Sequence, residues 1–143
     1  MPKTITMKLW LFILAALIFA TISSCKKIES IENVGLVGKW QLKEVFDGYG
    51  NGGHFQWNNV SKDDSHSLEF AANGQFFRKE NKNGNFQECT GAYRLQTDNN
   101  LEINSNCSTT IEEMKVNELT STTLIINRQG REGTIRYKYS AIK

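Results

Sequence analysis

The stretch ECTGAYRLQTDNNLEINSNCS, residues 88–108, decides the fold. Two runs of alternating apolar and polar residues flank Thr97-Asp98-Asn99-Asn100, and Asp and Asn accept the backbone of a tight turn. Folded as a hairpin about Asp98, the chain sets Leu95 against Leu101, Tyr93 against Ile103, Gly91 against Ser105 and Cys89 against Cys107. All eight share one side of the ribbon, because strand side chains alternate with a period of two. Thr90, Ala92, Arg94 and Gln96 occupy the other side with Glu102, Asn104 and Asn106. One register therefore separates apolar from polar residues and also brings two thiols face to face. Directly opposed Cβ atoms lie about 4.5–5.5 Å apart, a small adjustment from the ~3.5–4.5 Å of a disulfide. The register predicts a Cys89–Cys107 disulfide, with two unlinked, half-buried thiols as the alternative. Neither cysteine has the short paired spacing and neighbouring His of a zinc site.

The same grammar runs through the rest of the chain. VGKWQLKEVF (37–46), IEEMKVNEL (111–119), TTLIINR (122–128) and GTIRYKYSAI (133–142) read as strands, and SLEF (67–70) and QFFRKE (75–80) flank the turn AANG. NKNGN, LTST and RQGREG read as turns, and no long amphipathic helical period follows residue 34. The hairpin's two runs bring the count to eight strands. Their edges are removed most simply by an all-β, eight-stranded antiparallel up-and-down barrel whose last strand pairs with the first. Expected inward residues are Trp40, Leu42, Leu68, Phe70, Phe76, Met114, Val116, Leu124, Ile126, Ile135, Tyr137 and Tyr139, with Tyr93, Leu95, Leu101 and Ile103 of the hairpin. A barrel of this size is either filled by its own side chains or holds one small molecule. The many large inward residues favour filling; an interior apolar pocket is the other reading.

The third cysteine belongs to a different part of the chain. Lys3 and Lys8 precede the apolar run Leu9–Ala20, and Ser23 and Ser24 lie just before Cys25. Twelve apolar residues fall short of the ~20 that a membrane-spanning helix needs, so the run reads as a secretory signal. The stretch ISSC (22–25) resembles the lipobox of bacterial lipoproteins. That resemblance implies cleavage after Ser24, acyl chains such as palmitate on Cys25, and attachment to a membrane through lipid. The chain then divides into a lipoprotein signal peptide over 1–24, a lipidated tether over 25–34 and a barrel domain over 35–143. Lys26 fits sorting to the outer membrane of a Gram-negative envelope, a compartment where disulfides persist. Two of the 17 basic residues precede Cys25, leaving 15 against the 15 acidic ones. A balanced domain without a basic cluster carries no electrostatic footprint for nucleic acid.

GKW (38–40) looks like the Gly-x-Trp signature of lipocalins, in which the Trp closes one end of the barrel. With LVGKWQL, LEFAANGQF, CTGAYRL and LTSTTLII, the pattern over 36–142 resembles the lipocalin-like domains of bacterial lipoproteins. Lipocalins place an Arg against that Trp, and Arg131 and Arg136 are the candidates here. The resemblance implies a carrier of a small apolar ligand, with DGYGNGGHFQWNNVSKDDSH (47–66) as a lid over the barrel mouth. Candidate ligand-binding residues are Trp40, Tyr49, Phe55, Trp57, Tyr93 and Tyr137. The other function class is an envelope module that contacts a protein or glycan through this loop or the outer face of a filled barrel.

His54, His66, Asp63 and Asp64 match no tight metal template and read as solvated loop residues, so neither metal nor cofactor is expected. The chain has no Gly-x-Ser-x-Gly elbow, no phosphate-cradling loop and no His-Glu-x-x-His. Glu112 and Glu113, as strand neighbours, point to opposite faces and do not form an acid and base pair. An enzyme is not expected.

Overall fold

The computed structural model describes residues 35–50, 52–82 and 84–143. The leader, Cys25 and the tether lie outside them. The described chain forms nine strands: β1 (Gly38–Tyr49), β2 (Trp57–Asn59), β3 (His66–Phe70), β4 (Gln75–Lys82), β5 (Asn85–Leu95), β6 (Asn100–Ser105), β7 (Glu112–Leu119), β8 (Thr123–Gln129) and β9 (Gly133–Ile142). β1 and β3–β9 pair antiparallel in sequence order, and β9 returns to β1 over Gly133–Ile142, which closes an eight-stranded barrel. β2 lies within the segment read as a loop. β1 pairs with β3 over Gly38–Gln41 and then takes β2 over Glu44–Phe46. A three-residue strand of Trp57-Asn58-Asn59 has no alternation that a sequence reading registers.

The deciding hairpin folds in the register its sequence dictates. Leu95 pairs with Leu101, Tyr93 with Ile103 and Gly91 with Ser105. Beyond them Cys89 and Cys107 form a disulfide with Cα atoms 5.5 Å apart. Its turn is held by Gln96 N–H to Asn100 O (2.8 Å) and Asn99 N–H to Gln96 O (3.0 Å), with Asn99 at φ +66°. The AANG turn uses the same device, from Ala71 to Gln75, with Gly74 at φ +84°. Asn and Gly are the residues that take this left-handed position at least cost.

Alternate turns of an up-and-down barrel share an end. The turns after β3, β5 and β7 gather at one end with Gly35–Val37, and a carbonyl of each accepts from the strand beyond its hairpin: Tyr93 N–H donates to Gly74 O, Val116 N–H to Asn99 O and Ala141 N–H to Thr122 O. This end is packed shut. Leu36, Trp40, Phe70, Leu101, Val116 and Leu124 are buried there. The Trp40 indole donates to Leu36 O at 2.9 Å. Gly38, at φ +149°, supplies a backbone that other residues rarely adopt just before it.

Two bulges reset the inward parity. Register shifts between Leu42 and Glu44 on β1 and between Val116 and Glu118 on β7. After the first, Val45 joins the core and Phe46 turns outward; after the second, Leu119 packs inward. Arg136 sits opposite Phe46 and covers its ring at 5.2 Å, so it lies on the outer face instead of against Trp40. The expected inward residues all belong to the core or pack against it, except Ile135. Ile135 stands opposite Asp47 and Arg128, near the other end of the barrel.

Candidate functional site

On several strands the inward residues change from apolar to polar away from the closed end. β4 runs Phe76, Arg78, Glu80; β8 runs Leu124, Ile126, Arg128; β7, in the opposite direction, runs Glu112, Met114, Val116. His66 on β3 and Tyr137 on β9 complete the polar layer. These side chains surround a cavity of about 510 Å³ at the open end, floored by Leu68, Phe76, Ile103 and Met114. The barrel is thus filled over one half and hollow over the other, and the hollow half has a polar wall. The connection from β6 to β7 forms part of the rim through Ser108, Thr110 and Ile111, and the Cys107 disulfide fastens it to β5.

Arg78 is the central charge of the wall, with its side chain 18% exposed. Its Nη1 lies 3.4 and 3.5 Å from the two oxygens of Glu112, and its Nε lies 3.9 Å from Glu80 Oε2. Nη2 is 3.7 Å from Cys89 Sγ. Charge-assisted hydrogen bonds close to about 2.7–2.9 Å, so every contact of this guanidinium is long. Nε is buried without a hydrogen-bond partner. Arg78 is held between two carboxylates and saturated by neither.

The neighbouring rings stay neutral. His66 Nε2 and the Tyr139 hydroxyl share a hydrogen bond of 2.9 Å, and the imidazole meets the Tyr139 and Tyr137 rings edge-on at 5.5 and 6.4 Å. Burial, and then the positive charge of Arg78, lowers the His66 pKa to about 4. Burial, followed by Tyr137, raises the pKa of Tyr139. Burial also raises that of Tyr137, against an opposing charge and hydrogen bond from Arg128. At neutral pH the cavity therefore presents an uncharged imidazole and two phenols, beside the side chains of Arg78, Arg128, Glu80, Glu112 and Glu113.

The six aromatic residues singled out in the sequence are dispersed. Tyr137 lines the cavity. Tyr49 ends β1 at the same end of the barrel, with its hydroxyl beside Gly130. Trp40 lies in the closed end, as does Tyr93, whose hydroxyl donates to Ala71 O at 2.9 Å. Phe55 is 61% exposed. Trp57 packs on the outer face against Phe46, at 5.6 Å between centroids, with Lys138 Nζ 5.5 Å from its ring. Among the described residues no three His, Cys, Asp or Glu side chains are grouped to hold a metal. The sequence does not single out Arg78, Glu80, Arg128 or Tyr139 as parts of a site, and it sets Glu112 and Glu113 on opposite faces without marking either as a cavity residue. The available signal was the period of two carried past Phe76 and Ile126 into charged residues.

Residues 36–126 match a family model described as a lipocalin-like domain. A crystal structure of a lipocalin-like protein from Bacteroides uniformis superposes with a TM-score of 0.55 at 19% identity, covering 75% of this chain and 98% of that one. No curated protein matches.

Proposed function

From the chain's membership of the lipocalin-like domain family, we propose that it is a binding protein that holds one small molecule in the open end of its barrel. The observation that carries this reading is the cavity of about 510 Å³ above a fully packed lower half, within the ~300–1,000 Å³ of small-molecule sites. Its wall favours a polar ligand over the apolar one that the family resemblance implied. A hydrocarbon would cover Arg78, Glu80 and Glu112 without offering a partner, and each buried polar group so stranded costs about 1–3 kcal/mol. Binding without chemistry fits the same wall, since both carboxylates adjoin Arg78 and the nearby His66 is a poor base.

The protein does this, in our reading, as a lipid-anchored component of a bacterial envelope, attached through Cys25. The support is the stretch ISSC after an apolar leader, together with a disulfide suited to an oxidising compartment. The described residues begin at Gly35, beside Leu119 in the closed end, at the end of the barrel opposite the cavity. Mass spectrometry of the protein extracted from native membranes tests both parts. The expected result is an N-terminus at Cys25 carrying acyl mass, and a small polar molecule released on denaturation. An unmodified Cys25 would remove the anchor; a saturable hydrocarbon ligand would remove the polar-ligand reading.

A further inference from the structure

We infer that the open-end cavity takes a neutral polyhydroxylated ring, a mono- or disaccharide, an inference that rests on the reading of this cavity as the binding site. The first reason is charge balance. Arg78 and Arg128 face Glu80 and Glu112 across the polar layer, while Glu113, the third carboxylate of the lining, alternates to the opposite face beside Glu102. A carboxylate ligand would add a third negative group beside two, and an amine a third positive one. Only a ligand without net charge enters at no electrostatic disadvantage.

The second reason is the incomplete bonding of Arg78. Its contacts to Glu112 are 3.4 and 3.5 Å, that to Glu80 is 3.9 Å, and Nε is buried with no partner. A hydroxyl is at once a donor and an acceptor. It accepts from the Nη groups at the exposed tip of the guanidinium while donating to a glutamate oxygen, and so satisfies both sides of a loose ion pair that neither partner satisfies alone. Vicinal hydroxyls do this twice. The Tyr137 hydroxyl and Arg128 extend the same mixed lining toward the rim.

The third reason is the floor. A pyranose has polar edges and an apolar C–H face, and the cavity sets a mixed wall over Leu68, Phe76, Ile103 and Met114. A volume of about 510 Å³ accommodates one or two such rings with water at the rim.

Calorimetric titration of the full chain, disulfide intact, with glucose, N-acetylglucosamine and maltose tests this, with leucine and laurate as the zwitterionic and lipidic probes. Amide NMR shifts report where each probe sits. The expected result is saturable binding of at least one sugar, with shifts at Arg78, Glu112 and Tyr137. Glu112→Gln should weaken that sugar about tenfold, the size of a lost hydrogen bond to a charged group, while Trp57→Ala leaves it unchanged. The wild-type shifts decide the location even where Glu112→Gln lowers stability. Saturable binding of leucine or laurate in the cavity, with no sugar binding, overturns the ligand class and leaves the cavity reading standing. Sugar binding that Trp57→Ala abolishes and Glu112→Gln does not would assign it to the outer aromatic face and overturn the proposal. If no probe shifts the cavity amides, both the class and the cavity reading fail.

Discussion

His66 shows how one side chain links the site to stability. Its imidazole protonates only at about 4 in the folded chain, against an ordinary value of 6.5, because burial and then Arg78 oppose the charge. Between those pH values the unfolded chain binds a proton that the native chain refuses. The contribution is therefore fully present above about pH 6.5 and is lost as pH falls toward 4. His66→Gln keeps a polar group beside Tyr139 and does not titrate. The stability advantage of wild type over His66→Gln, read from urea midpoints, should shrink steadily from pH 7 to pH 4.5; an advantage constant across that window would contradict the account. Trp40 makes the corresponding point at the closed end. Trp40→Phe removes the donor to Leu36 O and should cost about 1–3 kcal/mol in denaturant unfolding while leaving the cavity at the other end unchanged. This tryptophan, prominent in the sequence as a signature residue, is structural; Arg78, the central charge of the cavity wall, stands in an ordinary stretch, FFRKE.

The β5–β6 hairpin is the element whose sequence is most completely translated into structure. Its register depends on a local turn and on one face being apolar, both contained within 88–108. A Cβ added at Gly91 would lie 2.0 Å from Asn104 O and 2.7 Å from Ser105 Cα, both in the backbone of the paired strand. Gly91→Ala must push β6 away and should cost about 1–3 kcal/mol, measurable as a lower melting temperature. The disulfide next to it closes a loop with a sequence separation of 18. Its removal in a Cys89→Ala, Cys107→Ala double variant should lower stability by about 3 kcal/mol by equilibrium unfolding. That change also frees the β6–β7 connection at the cavity rim, so ligand affinity should fall with stability. β1 was less legible, because its bulge after Leu42 reverses the inward parity and sends Phe46 to the outer face, where Trp57 and Arg136 cover it. A bulge answers to the partners on both sides of a strand, and those partners are remote in sequence.

Across the whole molecule the barrel divides into a sealed apolar half and an open polar half, and the chain enters at the sealed end. Replacing Cys25 with Ser tests the envelope reading at this scale: the variant should leave the membrane fraction for the soluble one with its barrel and melting temperature intact. The eight barrel strands, their antiparallel order and the Cys89–Cys107 pair were determined by the sequence itself, through a period of two interrupted by turn residues. Such information is local, and each strand carries its own copy. The character of the interior was decided only by tertiary structure. Arg78, Glu80, Glu112 and Arg128 obey the same alternation as Phe76 and Ile126, yet polar residues in a strand ordinarily mark the solvent face. Which face they occupy, and that they meet around one cavity, depends on sheet closure, on bulge parity and on how far the apolar side chains fill the barrel. Those are properties of eight strands packed together, and no single strand encodes them.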